Sequence, residues 1–427
     1  MNFIKKFLRI ILGVILSVLI GVALMIFVYA LPNERAVENI RDALPLYEQE
    51  GNYPSWALGE HSKLDNFTDA IMLLEIIHPT DDVIKSAMLN PRFALPDEEK
   101  PVEALIKVLR DDTEGLSETV YPRYWHGYLL VLKPLLLTMK ANHLRMLLAY
   151  VVFILFVVAL LACQKILGTP RALALAGTVM ILNPVSLSMS FQFAPIYIIT
   201  MTAIIIMLKK NRRLFDDGLY IYFFALTGIL IAFFDFLTYP IFSVGMMLIF
   251  WYVLNLRGLL EEKLSNVLKM MSELLIAWGT GYFGMWSGKW IISQLLTGYD
   301  TISSAFVQVA SYTRIGDNLV NAGWQITTLG AIQRNIAVLG HGPIRIFLFV
   351  AIIFLLYVLI SRRNILTPRK VLPYLFPATL PFIWYAVASG HSHIHAFFVY
   401  RGLAATIFAL SCLSIEIWQH DKKVFNS

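Results

Sequence analysis

Residues 4–30, IKKFLRIILGVILSVLIGVALMIFVYA, decide the fold. Lys5, Lys6 and Arg9 come first, and an uncharged apolar run to Ala30 follows. About 20 such residues span the hydrocarbon of a bilayer as a helix. A secretory signal peptide has a shorter apolar core, closed by a small-x-small cleavage site. This run is longer and no such site closes it, so it reads as a retained first membrane helix.

The rest of the chain agrees. Hydrophobic residues make up 58% of the 427 and charged ones 15%, where a soluble domain carries about 25% charged. Mean hydropathy is +0.66. The net charge of +6 does not point to nucleic acid, because much of it lies in short clusters beside apolar runs. Cys163 and Cys412 both sit in apolar stretches, read as small buried hydrophobes. With no CxxC pair, a structural zinc site is not expected.

Ten crossings are expected, near residues 8–30, 144–164, 171–189, 192–208, 218–234, 236–256, 268–286, 345–360, 371–388 and 397–417. The third contains Asn183-Pro184 and is expected to break or kink there. The basic residues test this count. Lys5, Lys6, Arg9, Lys165, Arg171, Lys209, Lys210, Arg212, Arg213, Arg257, Lys263, Arg362, Arg363, Arg369, Lys370, Lys422 and Lys423 all fall on one side when ten crossings alternate. That is the positive-inside pattern, with both termini cytoplasmic. The expected architecture is a single all-α polytopic membrane domain over residues 1–427. It has two long extracytoplasmic segments, 31–143 and 290–345. The first holds amphipathic stretches at 66–78 and 101–110, and an apolar one at 124–139, expected as in-plane helices.

Five polar clusters gather on the outer side of this topology. In Lys63-Leu-Asp65-Asn-Phe-Thr68-Asp69, either carboxylate could take a proton from a hydroxyl nucleophile. Equally, Asp65 could cap a helix starting at Asn66 and Asp69 could favour its first turn. In Tyr121-Pro-Arg123-Tyr-Trp-His126, Arg123 and His126 could meet a phosphate, or the aromatics could mark the interface. Asp235, in FFDFLTYP, is costly beside hydrocarbon unless paired or wet; a local cap is the alternative. Lys289, in WSGKW, reads as the outer end of helix seven, either a solvent anchor or a phosphate contact. In Gly390-His-Ser-His-Ile-His395-Ala-Phe-Phe-Val-Tyr400-Arg401, His391, His393 and His395 alternate. No nearby carboxylate completes a ligand set, and no metal is expected. Arg401 falls within the apolar tenth helix, as a functional group or a buried ion pair. No Walker, GxGxxG or GxSxG pattern is present, so nucleotide and serine-hydrolase chemistry lack support.

The acidic first outer loop, the DFLTYP and WSGKW turns and the HSHIHAFFVYR segment resemble bacterial GT-C type membrane glycosyltransferases. The likeness is to the polyprenyl-phosphate-sugar-dependent branch that decorates surface glycans. The resemblance implies a bacterial cytoplasmic-membrane enzyme with an extracytoplasmic active site. It would transfer a hexose, with inversion, from a polyprenyl-phosphate donor to a hydroxyl of a surface glycan or similar acceptor. It implies Asp65 or Asp69 as base and Lys289, Arg401 and Arg123 as donor-phosphate contacts. Asp235, His126, His391, His393, His395 and Tyr400 would position substrate, and no cofactor is needed. The chain lacks the tandem acidic pair after helix one of many metal-dependent relatives. A transporter or flippase for a lipid-linked or anionic substrate is the alternative.

Overall fold

A computed structural model of the protein describes residues 3–96, 100–313, 326–340 and 366–425, and only scattered positions between 345 and 361. The expected eighth crossing at 345–360 therefore lies largely outside the described residues, as do Arg362 and Arg363. Helix accounts for 78% of the structure and strand for 3%.

Helix α1 (Phe3–Tyr29) is the expected first membrane helix. Leu12, Leu16, Leu19 and Phe27 face outward from it, while Ile10, Val14, Met25 and Val28 are buried. An apolar outer face has no place against water and suits lipid. The 31–143 segment then folds as α2 (Glu34–Arg41), α3 (Leu44–Glu50), α4 (Asn66–Ile77), α5 (Val83–Leu89), α6 (Pro101–Leu109) and α7 (Leu129–Leu136). A two-stranded antiparallel ribbon, β1 (Pro91–Ala94) with β2 (Ser117–Val120), interrupts them and departs from the all-helical expectation. A second departure is α4. Expected to lie in the interface plane, it is buried along nearly its whole length and is the core of this outer segment.

The remaining helices are α8 (Ala141–Leu167), α9 (Thr169–Ile181), α10 (Pro184–Met189), α11 (Ala194–Asp216), α12 (Tyr220–Phe234), α13 (Ile241–Leu254), α14 (Leu256–Leu259), α15 (Leu264–Thr297), α16 (Thr301–Thr313) and α17 (Thr328–Leu339). After them come α18 (Pro368–Val387), α19 (Ser389–Ile394), α20 (Ala396–Val399) and α21 (Leu403–Phe425). Among the described residues, four stretches are long and apolar enough to cross a membrane: Ile4–Tyr29, Ala141–Leu167, Ala194–Asp216 and Ala396–Gln419. Three shorter apolar helices, α9, α12 and α13, accompany them.

The break expected at Asn183-Pro184 is present. Asn183 takes a left-handed conformation, and its Oδ1 caps α10 at the Ser186 amide, 3.2 Å away. The seventh crossing differs from expectation. Helix α15 runs 34 residues and carries Trp286–Trp290 inside it. WSGKW is therefore not a turn, and the second outer segment begins after Gly298 rather than at residue 290. The length of α15 rests on close contact with two neighbours. A Cβ at Gly281 would lie 2.1 Å from the Ala225 carbonyl oxygen, and one at Gly228 2.2 Å from that of Trp278. Small residues let α12 and α15 approach backbone to backbone. Gly284 and Gly288 make room for the side chains of Val14 and Val18 of α1.

Candidate functional site

Helix α4 begins with Asp65, whose carboxylate accepts from the Thr68 amide and the Thr68 hydroxyl, both at 3.0 Å. The capping alternative is thus realised. One turn on, Asp69 reaches the link between α10 and α11. Its Oδ1 accepts from Ser190 Oγ (3.3 Å) and the Gln192 amide (3.1 Å), and its Oδ2 from the Phe191 amide (3.1 Å). These amides lie in the turn between α10 and α11, just ahead of the α11 N-cap, Phe193. Burial pushes Asp65 up to about 6, opposed by its bonds from Thr68. Burial pushes Asp69 up to about 7, opposed by the Arg145 charge and reinforced by Asp65. Arg145, from the start of α8, grips Glu50 through both terminal nitrogens at 3.0–3.1 Å and donates to Asn66 Oδ1 at 2.8 Å. Sequence reading passed over it, although in the expected topology it stands at the outer end of a crossing, against the positive-inside bias.

Beside Asp69 lies an apolar groove of about 270 Å³. Val131 and Leu132 of α7, Leu148 of α8, Ile198 of α11 and Phe234 of α12 line it, with Tyr128 and Phe191. Two of these side chains belong to residues that hold buried carboxylates. Phe191 gives its amide to Asp69, and Tyr128 donates its hydroxyl to Glu75 Oε2 at 2.6 Å.

Glu75 opens a second buried cluster. His126 Nδ1 stands 2.9 Å from Glu75 Oε2. His126 Nε2 faces the Tyr121 carbonyl at 2.7 Å and so carries a proton. Lys289, fully buried, donates to the Ala87 carbonyl and Asn90 Oδ1, both at 3.0 Å, and its ammonium lies 5.5 Å from the Trp125 ring. Asn90 in turn donates to Tyr29 Oη at 3.2 Å. Lys289 and His126, expected to meet a substrate, have their hydrogen bonds made within the protein. Both side chains are enclosed, and they tie the outer segment to α1 and α15.

Arg401 is also fully buried. It lies in a 3-10 turn, Tyr400–Gly402, just before α21, rather than within the helix. Its Nε donates to the Leu182 carbonyl at 2.8 Å and its Nη1 to that of Phe397 at 3.3 Å. Leu182 ends α9, so Arg401 satisfies a carbonyl that the Asn183 break leaves without a helix partner. The guanidinium sits 4.3 Å from the Phe193 ring and 5.1 Å from that of Tyr400. Its Nη2 has no hydrogen-bond partner among the described residues. No carboxylate pairs with it there, which sets aside the buried ion pair.

Asp235 caps its own turn, accepting from the Thr238 amide at 2.9 Å and from the Thr238 hydroxyl. Arg123 lies over the Tyr121 ring at 4.9 Å and donates to Ser304 Oγ at 3.3 Å. Its carbonyl accepts from the indoles of Trp286 and Trp290. The His391 and His395 rings adjoin at 4.9 Å, and His391 meets Tyr312. His393 faces Arg334, which reaches Glu60 at 3.4 Å. The structure therefore places the groove between Asp69, reached through Phe191, and the Glu75–His126 pair, reached through Tyr128, while Asp65 does not line it. It puts His126 and Lys289 in a separate cluster, and Arg123 and the histidines elsewhere.

Comparison of the chain with family models, with curated proteins and with solved structures finds no match in any of the three.

Proposed function

We propose that the protein transfers a sugar from a polyprenyl phosphate to a hydroxyl acceptor, at the outer face of a bacterial cytoplasmic membrane. The groove carries this reading. It is apolar, it opens between helices, and one wall residue, Phe191, is bonded to a buried carboxylate. That combination suits an isoprenoid tail with its reacting end at Asp69. In this reading the wider frame is a GT-C-like bundle of about ten crossings, and the alternating basic clusters favour cytoplasmic termini.

In this reading Asp69 is the base. A carboxylate raised to about 7 is a stronger proton acceptor than an ordinary one and still ionises near neutrality. The acceptor O–H gives its proton to Asp69 as its oxygen bonds to the anomeric carbon. The bond from that carbon to the phosphate oxygen breaks, and polyprenyl phosphate leaves with the electron pair. One displacement inverts the anomeric centre. Arg401, lying on Phe193 with Nη2 unspent, is the cation best able to offset charge developing on the leaving phosphate. Lys289 is left out of this step.

The test uses purified protein in lipid nanodiscs with a photoreactive polyprenyl phosphate. Labelling is expected in peptides containing Leu132 and Ile198, and Leu132→Trp and Ile198→Trp should suppress it. Unchanged labelling in both variants would reject the reading. A second reading, a transporter for a lipid-linked substrate, draws on the helix break at Asn183, since broken helices line many transport sites. Movement of a fluorescent polyprenyl phosphate across proteoliposomes without acceptor would favour it.

A further inference from the structure

At the other ends of α13 and α21 lies a cavity of about 110 Å³. Arg401 lies two residues before α21, and Glu416 thirteen residues beyond its first residue, Leu403. That separation is about 20 Å along a helix. The cavity is thus remote from Asp69 and independent of the transfer reading. Its walls combine two chemistries. Leu256, Leu260 and Leu413 make an apolar side, while Lys370, Tyr374 and Glu416 make a polar one.

The polar groups are unevenly satisfied. Glu416 is held by Arg171 at 2.7 Å, so its charge is already neutralised. The Tyr374 hydroxyl is buried and has no hydrogen-bond partner among the described residues. An unmade bond at a buried hydroxyl is unfavourable, which marks it as a donor waiting for an acceptor. Lys370 is half-buried, and among the described residues its ammonium pairs with no carboxylate. A cation and a free donor in one cavity call for an anion. The apolar side, at the ends of membrane helices, calls for that anion to be an amphiphile. The volume admits a phosphate group and is far too small for a nucleotide.

We infer that this cavity binds the phosphate of an anionic glycerophospholipid, with Lys370 supplying the charge, Tyr374 the hydrogen bond and Leu256 and Leu260 the contact to the chains. Lys370 belongs to a basic cluster that topology alone explains only as an anchor. The cavity gives one member of that cluster a specific ligand.

The experiment is native mass spectrometry of the full chain released from nanodiscs of phosphatidylglycerol and phosphatidylcholine. Phosphatidylglycerol should remain bound to the wild type, and Lys370→Ala should weaken retention about fivefold, the effect of one lysine near a membrane surface. Tyr374→Phe should weaken it less, and Glu416→Gln, which frees the Arg171 charge that Glu416 now neutralises, should strengthen it. Phosphatidylcholine retention should not change. Equal retention of phosphatidylglycerol by wild type, Lys370→Ala and Tyr374→Phe would overturn the proposal. So would displacement of the lipid by inorganic phosphate alone, which would make the ligand a free anion. Because Tyr374→Phe keeps the ring and its edge contact with Tyr252, the test survives misfolding of the charge variants.

Discussion

Helix α4 holds two buried carboxylates in opposite circumstances. Glu75 faces His126 and Tyr128, and its charge acts on Lys289. Asp69 meets a hydroxyl and two amides, with no cation in hydrogen-bond contact. The difference separates architecture from chemistry. A buried charge with ionic partners is locked, since losing a partner leaves the other uncompensated. A buried carboxylate held by neutral donors can gain or lose a proton without stranding an opposite charge, and that is what a base must do.

The largest effect should therefore fall on the locked cluster. Lys289→Met removes the cation from between Asn90 and the Ala87 carbonyl and leaves Glu75 without it. The expected cost is about 1–3 kcal/mol for the two buried acceptors left unpaired, read as a lower melting temperature in detergent. Adding Glu75→Gln should restore part of the loss, because the stranded charge is gone. If Lys289→Met melts like wild type, the contrast between the two carboxylates collapses.

Asp69→Asn should do the reverse. The Asn oxygen can still accept from Ser190 and Gln192, but its NH2 would then face the Phe191 amide, at a cost of about 1 kcal/mol. Relief from burying a charge offsets some of that. Stability should change little, while sugar transfer, assayed with a polyprenyl-phosphate hexose, should fall by about 10²-fold or more. Normal transfer by a well-folded Asp69→Asn would reduce Asp69 to a clamp on α11.

The same residue should set opposed pH trends. Burial pushes Asp69 up to about 7 in the fold, and in the unfolded chain it returns to near 3.8. Between those values the native state keeps a proton that the unfolded chain has released. Stability should fall as pH rises through this window, by at most about 1.4 kcal/mol per pH unit. Asp65, pushed up to about 6, adds the same sign up to its own value. Transfer should rise with pH and level off above about 7, where Asp69 is ionised. Asp69→Asn should flatten the steeper part of the melting profile. A profile identical to wild type would show that Asp69 does not titrate in this range.

The four long apolar helices among the described residues were legible because a bilayer imposes length and apolarity on each segment by itself. Asn183-Pro184 was legible for a similar reason, since proline cannot continue the hydrogen-bond ladder. Lys289 was misplaced because WSGKW looks polar along the sequence. What holds it inside α15 is an α5 carbonyl and Asn90, some 200 residues earlier. Its partners are a property of packing, invisible to local pattern. The burial of α4 was missed likewise, because an amphipathic stretch looks the same against lipid or against protein. Asp65 and Asp69 were found together and could not be separated. Only the position of Ser190–Gln192 against Asp69 distinguishes them.

Asp65 gives the smallest effect and the sharpest discrimination. Its carboxylate caps α4 through the Thr68 amide and hydroxyl. Asp65→Asn keeps an oxygen for the amide, and the Thr68 hydroxyl can turn to accept from the new NH2, so the cap survives. Asp65→Ala loses both bonds, at about 1 kcal/mol. Melting temperatures should rank wild type and Asp65→Asn together, with Asp65→Ala slightly below. Transfer by Asp65→Asn should stay near wild type if Asp69 is the base. The reverse pattern, a stable Asp65→Asn without transfer beside an active Asp69→Asn, would move the base one turn back along α4, to Asp65. The groove would then have to deliver its substrate to the helix cap rather than to the start of α11.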